Sequence, residues 1–241
     1  YKDSKKFLEE SIALYKQAPS HNPADIAWAL LHLGSLLIEF SDYEKAKSLL
    51  EQSMEIYTKQ YNADHPRVAA GRIYLADVYK ELGDYEKAKN LYEQSWHIYK
   101  NVYGQYHSRT ASLLIRLGDI YRYVGQYSKS IEAFKKSYDI YTKYFPENYP
   151  KIALSSISLG NMYRIMGRYD MAKPLLIKGV EINNKHYGPN HIQSAWQVVF
   201  LGQLYWETGD CEKAQKLLQH SLEIQDKHFD KAHLNMAWVS H

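Results

Sequence analysis

The sequence is poor in the features that mark secreted and membrane proteins. It has one cysteine, Cys211, and no Asn-x-Ser/Thr site, which disfavours a disulfide-built or glycosylated secreted domain. Its longest uncharged stretch, residues 192–206, is interrupted by glutamines and a glycine, so we expect no membrane insertion. We therefore expect a cytoplasmic protein.

Neither charge sign is in clear excess. Thirty Lys and Arg residues oppose 27 Asp and Glu residues, which gives a net charge of +3. Proteins that bind nucleic acids usually carry a marked basic excess, so we expect no nucleic-acid partner.

Motifs for catalysis and for cofactors are also missing. The sequence has no phosphate-binding glycine loop, no dinucleotide-binding glycine turn, no His-Glu-x-x-His and no cysteine pair. His186 and His191 have metal-like spacing, but His228 and His233 repeat that spacing one unit later, as linker positions do. We expect no enzyme activity, no cofactor and no metal.

The sequence is rich in tyrosine, with 23 residues. Most of them belong to an internal repeat, in which leucine followed by glycine or alanine recurs at positions 33, 75, 117, 159 and 201, each 42 after the one before. Another small residue follows at Ala46, Ala88, Ser130, Ala172 and Ala214. The tyrosines recur at the same spacing, so their abundance reflects architecture.

Each repeat predicts two amphipathic helices. Over residues 85–103, apolar side chains follow the three-and-four spacing of one helical face, and charged residues occupy the other. The preceding helix ends at Gly83, a residue typical of helix C-termini. The paired small residues allow two helices to cross closely. Alternation typical of strands is absent from the sequence, so we predict an all-α fold. Cys211 replaces the tyrosine found at the other turns, and we expect it to be buried.

Leu-Gly-x-x-Tyr in the first helix, Gly-x-Tyr at the turn and alanine early in the second helix resemble the tetratricopeptide repeat. The repeat length and the linker Asp64-His65-Pro66 are similar to those of kinesin light chains. The resemblance implies one right-handed superhelical solenoid of antiparallel helix pairs over residues 1–241. The expected pairs span about 25–61, 67–103, 109–145, 151–187 and 193–229. Half repeats are expected at 1–18 and 233–241, as in a fragment of a longer protein.

The resemblance also implies that the first helices line a concave groove. With Gly34 as the eighth position, the fifth position is aliphatic and the twelfth is basic at its centre. The predicted groove residues are Lys80, Ile115, Arg116, Asp119, Arg122, Ile157, Asn161, Arg164, Trp196, Val199, Gln203 and Trp206.

Two interpretations of these rows remain open. In the first, a peptide presses apolar side chains on the aliphatic row and sets acidic groups against Arg122 and Arg164. In the second, the aliphatic row is ordinary core and the charges pair within each helix, as Asp119 and Arg122 do by spacing. Arg164 is the exception, because its neighbour at that spacing is Asn161, which is uncharged.

The leading hypothesis for function is a non-catalytic scaffold that binds a protein or peptide in the groove. The alternative is a sensor or targeting segment of a larger enzyme or nucleotide-binding signalling protein. The sequence leaves the oligomeric state undetermined.

Overall fold

A computed structural model describes Glu10, residues 22–147 and residues 149–228. Within the last two ranges ten helices are delimited: α1 Pro23–Glu39, α2 Tyr43–Gln60, α3 Pro66–Glu81, α4 Tyr85–Tyr103, α5 Ser108–Tyr123, α6 Tyr127–Tyr144, α7 Pro150–Ile165, α8 Tyr169–Tyr187, α9 Ile192–Glu207 and α10 Cys211–His228. No strand occurs in this part of the chain, and the predicted all-α class is confirmed. Apart from Glu10, the predicted half repeats lie outside the described residues, as does residue 229.

The chain divides into two compact units, Tyr1–Tyr127 and Ser128–His241. In the first, unit 1, α1 packs on α2 and α3 packs on α4, while α2 and α4 each also contact the first helix of the next pair. In the second, unit 2, α7 packs on α8, α9 packs on α10, and α8 contacts α9. Within each unit, the second helix of a pair that contacts the next pair therefore buries one face against its hairpin partner and part of another against that neighbour.

Glycines permit the close approach of paired helices. A Cβ added to Gly34 would lie 2.7 Å from Cγ of Leu50, and one added to Gly202 would lie 2.9 Å from Cγ of Leu218. Both distances are shorter than carbon atoms tolerate, so a larger side chain would force the helices apart. The predicted reason for the small residues is confirmed at these crossings.

The linker histidines have a structural role. His107 Nδ1 accepts a hydrogen bond of 3.1 Å from the main-chain N–H of Arg109, and its ring stacks on Tyr103 with centroids 4.9 Å apart. His65 and His191 make the same two contacts at their own linkers. Each histidine thus caps the helix that follows and packs on the helix that precedes it.

The histidines that cap helices are not gathered into a metal site. In the part of the chain that the structure describes, no group of three His, Cys, Asp or Glu side chains is placed to hold a metal ion. The described helices also include none that is both long and apolar enough to span a membrane.

Candidate groove face

The first helices of the pairs carry the predicted groove residues. We define the groove face as the second, fifth, sixth, ninth, twelfth and thirteenth positions of these helices, counting Gly34 and its equivalents as the eighth. Unit 1 carries the part of this face on α1, α3 and α5, and unit 2 carries the part on α7 and α9.

The aliphatic row of the groove face is buried. Ile115 is 6% exposed and Ile157 is 3% exposed, and Leu31 and Ile73 are buried to a similar degree. In unit 2, Ile157 fills the space beside Gly179, where an added Cβ would overlap Ile157 Cγ1. Ile115 and Ile157 are therefore core side chains with almost no surface for a ligand, which corrects the expectation that they contact one. Val199 alone in this row is only partly buried.

Arg116, predicted to add positive charge, is held by a carboxylate in unit 1. Its guanidinium forms an ion pair with Asp77 on α3, and the hydroxyl of Tyr92 on α4 donates a hydrogen bond to the same carboxylate. Burial raises the pKa of Asp77, while Arg116 and Tyr92 act in the opposite direction. Burial and the Asp77 charge also raise the pKa of Tyr92 well above its ordinary value, so its hydroxyl remains a donor.

The other cations on the groove face of unit 1 are also paired. Lys80 Nζ lies 2.8 Å from a carboxylate oxygen of Glu81. Arg122 lies 3.8 Å from Asp119, and its guanidinium stacks over the ring of Tyr123 at 4.4 Å from the centroid. The groove face of unit 1 therefore carries several individual charges, but their sum is close to zero.

Arg164 in unit 2 also has a carboxylate partner, contrary to the expectation from helical spacing. Its Nη1 forms an ion pair with Glu207 on α9, and its Nε donates a hydrogen bond of 3.0 Å to Oδ1 of Asn161. Sequence reasoning missed Glu207 because only partners within the same helix were considered. Glu207 follows Arg164 by 43 residues, one more than a repeat, so the repeat spacing itself could have found it.

Large apolar side chains are exposed on the groove face of unit 2. Trp206 is 65% exposed and Trp196 is 47% exposed on α9, and Leu154 and Ile165 on α7 are exposed to 43% and 42%. The same face carries the polar residues Asn161, Arg164, Gln203 and Glu207. The structure thus brings both predicted tryptophans onto one face, and it adds Leu154 and Ile165, which the sequence analysis did not select.

Gln203 lies on the same face between the tryptophans of α9. Its side-chain oxygen Oε1 is buried and has no hydrogen-bond partner in the described part of the chain. A buried acceptor without a donor costs about 1–3 kcal/mol, but this oxygen has no exposed surface for a ligand to contact.

A small pocket adjoins Trp206 at the turn into α10. Its volume is about 350 Å³, and Cys211, Leu218 and Leu222 line it together with Trp206. Cys211 is exposed, so its expected burial is wrong. The shorter cysteine side chain stands where the other turns have tyrosine.

Comparisons with known proteins agree with this architecture. The model of the tetratricopeptide repeat family matches residues 1–59, 25–100, 75–143 and 151–227. A Podosopora anserina structure of kinesin light chain type, with nearly identical TPR-like repeats, is 24% identical to the chain, with a TM-score of 0.68, and the match covers 88% of this chain and 100% of that one.

Two further solved structures share the fold. BtubC (BKLC) from P. vanneervenii is 18% identical, with a TM-score of 0.75, covering 94% of this chain and 91% of its own. The apo form of RapI is 13% identical, with a TM-score of 0.63, covering 91% of this chain and 92% of its own. No curated protein matches the sequence.

The fold and the family match together define a helical repeat protein. The chain belongs to the tetratricopeptide repeat family. Its fold is similar to that of solved repeat structures of kinesin light chain type, the type that its repeat length and linkers indicated.

Proposed function

We propose that the chain is a non-catalytic protein-interaction scaffold that binds a peptide or protein segment on its groove face. Membership of the tetratricopeptide repeat family supports an interaction role. The observation that carries the proposal is the pair of exposed tryptophans, Trp196 and Trp206, on one face of α9. Exposed tryptophans on a rigid helix are typical anchors of protein interfaces.

The anchors act through burial of apolar surface. An aromatic side chain buries roughly 150–250 Å² when it is fully covered, and such anchors often contribute about 2 kcal/mol or more to binding. Leu154 and Ile165 extend the apolar surface onto α7. An extended segment crossing α7 and α9 would therefore cover all four side chains.

Acidic groups are not part of the proposed ligand. They were expected to face Arg122 and Arg164, but Asp119 lies beside Arg122 and Glu207 pairs with Arg164. A ligand carboxylate would have to displace a carboxylate of the protein. The groove face of unit 2 favours apolar and aromatic side chains joined by an uncharged main chain.

Selection from a random peptide library tests this proposal. The wild-type chain should enrich peptides rich in Leu, Phe, Tyr and Trp, without enrichment in Asp or Glu. The double variant Trp196→Ser, Trp206→Ser should lose these peptides, whereas Val102→Ser should retain them. Val102 is a suitable control because it is 51% exposed on α4, away from the groove face. Peptides that bind the double variant as well as the wild type would overturn the proposal.

A further inference from the structure

Glu207 occupies the position that a ligand carboxylate would take on Arg164. The guanidinium of Arg164 donates to Asn161 through Nε and to Glu207 through Nη1. The Arg164 side chain is 13% exposed and that of Glu207 is 32% exposed, so the arginine has little free surface and its partner is the more accessible of the two. Glu207 ends α9 and directly follows Trp206, whose ring is exposed to solvent.

A carboxylate on a peptide would compete with Asn161 and Glu207, because arginine binds carboxylates through neighbouring N–H groups in one plane and these two residues already occupy Nε and Nη1. Glu207 is attached to the same folded unit, so it competes at a high effective concentration. Displacing it would also leave a partly buried carboxylate without its partner.

We propose that Glu207 is a specificity-determining residue that makes the groove face of unit 2 reject acidic segments and select uncharged ones. The inference rests on the proposed function, since it names the class of ligand that this face takes. Arg164 then positions Glu207 and Asn161 instead of binding the ligand itself.

Unit 1 contains an ion pair of the same kind that is less suited to this role. Asp77 holds Arg116, but the Asp77 side chain is only 10% exposed and also accepts from Tyr92. Its removal would disturb the core. Glu207 is more accessible and ends its helix, so it can be changed with little effect on folding.

Two synthetic peptides test the inference by calorimetric titration. Both are acetylated and amidated, and both alternate leucine with a second residue, which is glutamate in one and glutamine in the other. The wild-type chain should bind the glutamine peptide more tightly than the glutamate peptide. In Glu207→Ala the glutamate peptide should gain about tenfold in affinity, which corresponds to about 1.4 kcal/mol, because Arg164 becomes available. The glutamine peptide should be unaffected.

Three further variants assign the gain to the freed arginine. Glu207→Gln keeps the side-chain length but removes the charge, so it should also gain affinity for the glutamate peptide. Adding Arg164→Gln to Glu207→Ala should abolish the gain. Glu212→Ala is the matched control, because it removes one negative charge from an exposed ion pair with Lys216 and should gain nothing. High salt should reduce the gain, as for any accessible charge pair.

Three results would overturn the inference: equal affinity of the wild type for both peptides, no gain in either Glu207 variant, or an equal gain in Glu212→Ala. The library selection tests a separate claim, so the proposed function and this inference can fail independently. It asks whether the wild type binds any segment through Trp196 and Trp206, whereas the titration asks whether removal of Glu207 creates a site for glutamate.

Discussion

The hydroxyl of Ser53 on α2 donates a hydrogen bond of 2.6 Å to the main-chain carbonyl of Ala27 on α1. The same bond joins Ser95 to Ala69 at 3.2 Å and Ser221 to Ala195 at 2.8 Å. These serines are buried and recur at the repeat spacing. Each one ties the second helix of a pair to the first.

Replacing Ser53 with alanine should destabilise the chain by about 0.5–1.5 kcal/mol, because a buried hydrogen bond is lost without any change in packing. Urea unfolding of the wild type and the variant measures the difference. Ser48→Ala is the control, since Ser48 is exposed on the same helix and should be close to neutral. Equal effects of the two variants would show that the bond to Ala27 adds no stability.

Gly179 stands at the serine position in α8, and Ile157 fills the space that a side chain would need. Gly179→Ser should therefore destabilise the chain by about 1–3 kcal/mol through overpacking, although it restores the residue found in other repeats. Ile157→Ala opens that space, so the double variant should lose less stability than the sum of the single variants. Additive losses would mean that the two residues do not compete for space.

Ser41 is the one non-glycine residue with positive φ in the described part of the chain, with φ of 59° at the turn between α1 and α2. A residue with a Cβ is strained in this conformation, so Ser41→Gly should stabilise the chain by about 1 kcal/mol. Gly83→Ala at the next turn, where φ is 81°, should destabilise by a similar amount, because nothing but backbone strain opposes the methyl group. Thermal melting of both variants measures the two effects, and a lower melting temperature for Ser41→Gly would contradict the assignment.

Asp77 should make stability depend on pH in the acid range. Burial raises the pKa of Asp77, so the folded chain binds this proton more tightly than the unfolded chain does. The contribution of Asp77 to stability is therefore fully present at low pH and is lost as the pH rises through the raised pKa. Asp77→Asn imitates the protonated acid and keeps an acceptor for Tyr92.

The stability of Asp77→Asn relative to wild type should consequently increase with pH across this range. Urea unfolding at a series of pH values measures the difference. In Arg116→Met the pKa of Asp77 should rise further, because Arg116 is the nearby charge that most lowers it. A pH-independent difference between Asp77→Asn and wild type would show that the Asp77 carboxyl is not destabilised by burial.

His107→Ala should destabilise the chain by about 1 kcal/mol, because the N–H of Arg109 loses its capping acceptor. His107→Asn retains a capping oxygen but loses the stack on Tyr103, so its loss should be smaller. Guanidinium unfolding of the two variants separates the cap from the stack. Equal losses would assign the stabilising effect to the aromatic contact instead.

The repeat spacing predicted the helices well, since the same apolar and small positions recur in every pair. The sequence also indicated why glycine stands at 34 and 202. The buried serines were missed because a lone polar residue on an apolar face, such as Ser53, is read as a minor interruption. The carbonyl of Ala27, which accepts the hydrogen bond from Ser53, can be identified only once the two helices are placed together.

The candidate site was predicted less completely. Three-and-four spacing indicates which side chains share a helix face, so it brings Trp196 and Trp206 together on α9, while their contact with a ligand stays a prediction. The burial of Ile157 depends on Gly179 in another helix, and the charge of Arg164 is balanced by Glu207 in the next pair. Neither the burial of Ile157 nor the pairing of Arg164 can be read from the spacing of residues within one helix.

Cys211 is the sole cysteine of the chain, and it is exposed beside Trp206 in the pocket at the start of α10. One thiol-reactive dye can therefore be attached next to the proposed anchor without altering any residue. Indole rings quench many such dyes on contact. A bound segment that covers Trp206 would then change the fluorescence of the dye, so binding could be followed without mutating the protein.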